Sequence, residues 1–109
     1  MNNLSLDSAL ELIAHDCEIM GLLMDEEGRT CAVGCLAKAL GVPDEELIAK
    51  ADSEEVRGIV NSWLRVTADA LDVELFIDAG DVMTVNDSCS IIDERRERIR
   101  TVLLNAFRF

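Results

Sequence analysis

Aromatic side chains are scarce in this sequence. Its 109 residues hold no tyrosine, one tryptophan (Trp63) and three phenylalanines (Phe76, Phe107 and Phe109). A platform that stacks single-stranded nucleic acid needs several exposed rings, so that role is disfavoured. Basic residues are also few. Ten Lys and Arg stand against 22 Asp and Glu, for a formal charge of −12. Approach to a phosphate backbone would be repulsive, and non-specific nucleic-acid binding is disfavoured with it. His15 is the only histidine, so any Cys–His catalytic pair would have to use it. No stretch approaches the length of uncharged apolar sequence that spans a bilayer. The start, Met1 to Leu12, carries Asp7 and Glu11 inside its apolar pattern, unlike a secretory leader. The expected compartment is the cytoplasm. The only pattern near a phosphate-cradling loop, Gly28-x₅-Gly34, lacks the following Lys-Ser/Thr.

Apolar residues are plentiful. They make up 50% of the chain, against 29% charged, which is the composition of a globular protein. The length fits one domain over residues 1–109. The expected fold is all-α, a bundle of about five helices around a buried central helix at 31–40. Leu6, Leu10, Ile13, Cys17, Met20 and Met24 recur at helical spacing and predict a first helix over 6–24. Either Ser5 or Ser8 suits its start. Thr30 is the expected N-cap of the second helix, and Gly41 and Pro43 end it. The residues between are small or apolar on nearly every side, as in a helix buried all round. Gly34 would allow close approach of another backbone.

Pro43, followed by Asp44, Glu45 and Glu46, predicts a short third helix to about Ala51. A fourth follows over 54–71, with Val56, Ile59, Val60, Trp63, Val66 and Ala70 as its apolar face. Residues 73–85 read as a small β-hairpin or as an extended connection with one helical turn. The last helix runs from about Ser90 or Ile91 to Ala106, with Arg95, Arg96, Arg98 and Arg100 mostly outward.

Cys17, Cys31, Cys35 and Cys89 are expected to be thiols. Cys31 and Cys35 form a C-x₃-C pair with no second pair, so buried thiols acting as small hydrophobes are the first reading. A metal or small-ligand centre at His15, Cys17, Cys31 and Cys35 is the alternative. Cys31, at a helix start, would have the lowest thiol pKa of the four. Adjacent acids occur at Asp25-Glu26-Glu27, Asp44-Glu45-Glu46 and Glu54-Glu55. Catalytic carboxylates need partial burial, whereas such runs at turns and helix starts usually face water. They are therefore candidates for contact with a partner rather than for catalysis. Residues 1–90 hold 19 acids and 5 bases, and residues 91–109 hold 3 acids and 5 bases. The last helix is thus locally basic. Its Arg95 and Arg96, with Phe107 and Phe109, are candidates for self-association into a homodimer.

The stretch Gly28-Arg29-Thr30-Cys31-Ala32-Val33-Gly34-Cys35-Leu36-Ala37-Lys38-Ala39-Leu40-Gly41 and the later Val85-Asn86-Asp87, followed by a helix with Arg95 and Arg96, carry a resemblance. They are similar to a group of small uncharacterised bacterial and phage proteins of unknown function. Members share a Cys-Ala-x-Gly helix start and an Asn-Asp pair before the last helix. Where that group often has a Gly-Arg-Thr-His-like run after Asn-Asp, this chain has Ser88-Cys89-Ser90. The resemblance implies no activity. It implies a phage or mobile-element setting, hence a host cytoplasm, and marks Cys31, Gly34, Asn86 and Asp87 as a structural motif. Asn86 and Asp87 are suited to bonding free backbone groups and are expected near the start of the Cys31 helix. The function expected is non-enzymatic and needs no cofactor: an acidic protein that binds and modulates a basic or nucleic-acid-binding protein.

Overall fold

A computed structural model describes residues 4–107. The described residues are all-α, with five helices among them: α1 (Leu6–Asp16), α2 (Ala32–Ala39), α3 (Glu54–Ala70), α4 (Ala79–Asp87) and α5 (Ile92–Ala106). Their buried side chains join one apolar cluster. Helix α2 is central, since every residue from Ala32 to Ala37 is buried. It packs against α1, α3 and α4, while α5 packs against α1 and α4.

Local chemistry explains most helix ends. Ser5 caps α1, accepting from the Ser8 N–H at 3.1 Å. Ser53 does the same for Val56 at the start of α3. Helix α2 ends in a Schellman arrangement: Val42 N–H bonds Ala37 O, and Gly41 N–H bonds Lys38 O. Gly41 takes φ +99° there, a conformation open to glycine at little cost. The start of α2 differs from expectation. Its N-cap is Cys31, whose Sγ accepts from the Gly34 N–H at 3.4 Å. Thr30 instead is buried and donates its hydroxyl to Asp16 O.

Three predicted elements change. The first helix stops at Asp16 rather than Met24. Residues 17–31 form an irregular loop with isolated bridges from Thr30 to Cys17 and to Met24. Gly21 has φ +80°, and Met20, assigned to the buried stripe, is 40% exposed. The helix to Ala51 reduces to a single 3₁₀ turn, Asp44–Glu46. Beyond it the chain lies alongside residues 23–24, with Leu23 N–H bonding Lys50 O and Ala49 N–H bonding Met24 O. Of the two readings of 73–85, the hairpin is absent and the extended connection holds, with a helix of more than one turn after it. An extended segment leads into α4, where Asp78 and Asp81 form a reciprocal capping box. In α3, Val66 proves to be exposed rather than part of the buried face.

Gly34 sits where α2 meets the loop. A methyl group there would overlap the carbonyl oxygen of Leu23. The residue that permits this approach lets the loop lie directly on the helix, and Cys31 N–H bonds the same carbonyl at 3.3 Å.

Candidate functional site

The two sequence blocks that carry the resemblance meet at one residue. Asn86 is 0% exposed at the last turn of α4. Its Oδ1 accepts from Ala32 N–H and from the Cys17 thiol, each at 3.0 Å. Its Nδ2 donates to Ile19 O at 3.1 Å and to Asp87 Oδ1 at 2.9 Å. Asp87 Oδ1 also accepts from Gly21 N–H at 3.2 Å. The pair thereby serves an amide at the start of α2, which no intrahelical partner reaches, and pins the loop 17–21. Asn86 Oδ1, Asn86 Nδ2 and Asp87 Oδ1 each hold one backbone group, which is a structural role.

The thiols beside this junction are held protonated. Burial pushes Cys17 up to about 12; the Cys31 thiol adds to the rise, and Arg95 and Arg96 oppose it. Burial, and next the Asp16 carboxylate, push Cys35 up to about 12. Cys31 is also raised by burial, against the pull of the Gly34 and Val33 amides. Desolvation thus outweighs the helix-start effect at Cys31, whose thiol is raised from its ordinary value rather than lowered. His15 lies on the exposed side of α1, 3.4 Å from Glu11. Cys17, Cys31 and Cys35 lie near enough to act on one another, but His15 stands apart from them on the surface. Among the described residues no three His, Cys, Asp or Glu side chains are grouped so as to hold a metal. Cys89 is buried apart from these, its thiol directed at Ile91 O and Glu94 Oε2.

One cleft of about 310 Å³ is lined by Asp16, Glu18, Gly28, Thr30, Cys35 and Lys38 among others; two of the three acidic runs adjoin its lining residues Gly28 and Lys38, and no acid of either run lines it. The 25–29 turn supplies Gly28. Lys38, on the other wall, reaches Asp44 at 3.8 Å. Asp25 is spent within its own turn: Oδ1 accepts from the Glu27 and Arg29 amides, and Oδ2 from Arg29 Nε at 2.7 Å. Burial would raise its carboxyl, but the Arg29 amide and guanidinium hold it below the usual carboxylate range. Glu27 pairs with Arg29 at 3.4 Å. Glu26, Glu45, Glu46, Glu54 and Glu55 are exposed and make no ion pair among the described residues. Glu54 and Glu55 occupy the first turn of α3 and do not line the cleft. Asp16, Glu18 and Lys38 were not singled out as site residues by the sequence. Only the fold brings the end of α1 beside α2.

No family model, curated protein or solved structure matches the chain.

Of the self-association candidates, Arg95 and Phe107 are buried and Arg96 is half-buried. Arg95 is 3% exposed and donates from Nε to Cys89 O and from Nη2 to Ser90 O. Arg96 donates from Nε to Cys17 O at 3.1 Å and from Nη2 to His15 O at 3.0 Å. It thus caps the carbonyl end of α1, where a cation is favoured. Phe107 is buried, and Phe109 lies outside the described residues. Neither arginine belongs to an outward basic face, as the sequence suggested. With both turned to backbone oxygens, the exterior has fewer exposed cations to set against its carboxylates.

Proposed function

We propose that the chain is a non-enzymatic binding protein whose acidic face engages a basic protein partner, such as a nucleic-acid-binding protein, and modulates it. The observation that carries this reading is the assembly of acids around the cleft. Asp16 and Glu18 line it, and Glu26, Glu27, Glu45 and Glu46 stand on the two segments that flank it. Lys38 and Arg29 are the cations nearby. A field of one sign steers a partner of the opposite sign and sets its orientation. The phage or mobile-element setting implied by the resemblance suits a small protein that occupies a host factor. The thiols are read as core residues, since burial holds three of them in the unreactive, protonated form.

The test is capture from bacterial lysate by the immobilised protein, alongside a variant carrying Glu26→Gln, Glu27→Gln, Glu45→Gln and Glu46→Gln. Both are run at ~0.1 M and ~1 M salt, between which the screening length falls from about 10 Å to about 3 Å. A basic protein retained at low salt, and lost both at high salt and with the variant, supports the reading. Retention indifferent to salt and to the four substitutions overturns it.

A further inference from the structure

The segment between α3 and α4 has the form of a strand without a sheet. Val73 N–H bonds Ala68 O, and Ala79 N–H bonds Asn61 Oδ1, so the chain between them runs back along α3 and is tied to it at both ends. Val73, Leu75 and Ile77 pack against the core, while Glu74 and Phe76 are exposed. That period of two is the burial pattern of a strand lying on a core. Between the ties, no backbone N–H or C=O of Glu74, Leu75, Phe76 or Ile77 bonds another described residue. In an extended chain, Glu74 and Phe76 offer these groups to one side, and Leu75 and Ile77 to the other. A row of unpaired backbone groups is a template for a second strand.

The outward side of the segment has its own chemistry. Phe76 is 78% exposed, more than any other large apolar side chain among the described residues. Asp72 and Glu74 precede it, are exposed, and make no ion pair among the described residues. Asp78 follows it and is turned to the α4 capping box. Arg65, on the stretch of α3 beside the segment, pairs with none of these acids.

We propose that residues 74–77 are a docking edge for an extended segment of a basic protein, which adds to them as a second strand. The backbone of the incoming segment pairs with Glu74 and Phe76 or with Leu75 and Ile77. On the outward side its alternate Lys or Arg side chains meet the Glu74 carboxylate and lie over the Phe76 ring. Unpaired amides and carbonyls select an extended chain over a helix, whose own backbone groups are already used. The free carboxylates select its basic side chains. Core packing and the two end ties already hold the segment in its binding form, so little ordering opposes association. A second copy of this chain is the poorer occupant. Pairing the segment with itself would set Asp72, Glu74 and Asp78 of one copy beside those of the other. The edge shares no residue with the acidic cleft and does not depend on it.

Two peptides of about eight alternating Arg and Val residues serve as probes, an order that favours an extended chain. The second is N-methylated at two adjacent central residues. This removes one donor from each edge and leaves the charge and side chains as they were. Binding to the full chain is measured at ~0.1 M salt, with amide hydrogen exchange as the local readout. The plain peptide is expected to slow exchange at one alternate pair, Glu74 and Phe76 or Leu75 and Ile77, and not at the other. The methylated peptide is expected to bind at least about tenfold more weakly, and the plain peptide to lose as much on Phe76→Ser, a change at an exposed position. Equal binding of the two peptides, slowing at all four amides alike or at none, or indifference to Phe76→Ser overturns the proposal. So does a dimer, seen by sedimentation, that Phe76→Ser dissociates. The variant carrying Glu26→Gln, Glu27→Gln, Glu45→Gln and Glu46→Gln is expected to show the same alternate slowing. Loss of that slowing in this variant places the peptide at the cleft, which overturns the edge and leaves the acidic-face reading standing.

Discussion

Asn86→Ala removes the residue on which the end of α4, the start of α2 and the 17–21 loop depend. The Ala32 N–H, fully buried, loses its acceptor, and the partly buried Ile19 carbonyl loses its donor. A buried polar group left unpaired costs about 1–3 kcal/mol, and the Ile19 carbonyl less because solvent reaches it. Loss of the weak Cys17 thiol bond and of the amide's packing volume adds to this. The expected total is about 3 kcal/mol, against a native stability of about 5–15 kcal/mol for a domain of this class. With a urea m-value of about 1.5 kcal/mol/M, the midpoint should fall by about 2 M. Circular dichroism at the helical minimum measures the transition. Hydrogen exchange adds a local readout: the Ala32 amide should lose protection before the interior amides of α3. A midpoint shift below about 0.5 M, with Ala32 still protected, would refute the assignment of Asn86 as the organising residue.

Gly34→Ala places a methyl group on the Leu23 carbonyl, so either the loop lifts or α2 shifts. A loss of about 2–3 kcal/mol is expected in the same urea assay, although alanine is the better helix former. Arg96→Met keeps the side-chain stem but strips the caps from His15 O and Cys17 O, and should cost about 1–2 kcal/mol, read as a lower thermal midpoint. Cys17 and Cys35 hold their protons more tightly when folded, at about 12, than at the ordinary 9.0. Their contribution to stability is therefore intact below pH 9 and is lost progressively as pH rises from 9 toward 12. At pH 8 an aromatic disulfide reagent should react with Cys17, Cys31 and Cys35 only at the rate of unfolding, and a fast reaction of any of them would contradict the buried geometry.

Legibility in the sequence follows the range of the interactions. Helix α2 was visible because its causes are local: small residues on all sides, a polar start and Gly41 just past its end. The same holds for α3, with Ser53 before Glu54-Glu55. The overlong first helix was not visible as such, because its terminators are distant. Residues 17–21 keep an apolar helical rhythm, yet Asn86, Asp87 and Arg96 take the backbone groups that a continued helix would have used. The segment after Pro43 likewise yields to pairing with Met24. Helix α4 did carry a local signal, Asp78-x-x-Asp81, a capping box with Asp in place of the usual Glu or Gln at its third position. The acidic runs were found by composition. Asp25, four residues before Arg29, was their weak member, since that spacing closes a turn on itself. Nothing local distinguishes Arg95 and Arg96 from Arg98, and only the packing of α5 on α1 and α4 separates them.

The hub at Asn86 also sets an order of assembly. Its bonds link residues 54 and 69 positions apart in the chain, and Arg96 reaches back 79 positions to Cys17. Closing spans of that length is slow and comes after local helix formation. During synthesis, α1, α2 and α3 are made before the residues that fasten them, so the loop ahead of α2 stays unfastened until Asn86, Asp87 and Arg96 have been added and have emerged. The nascent protein thus depends on its last helices to complete its first ones.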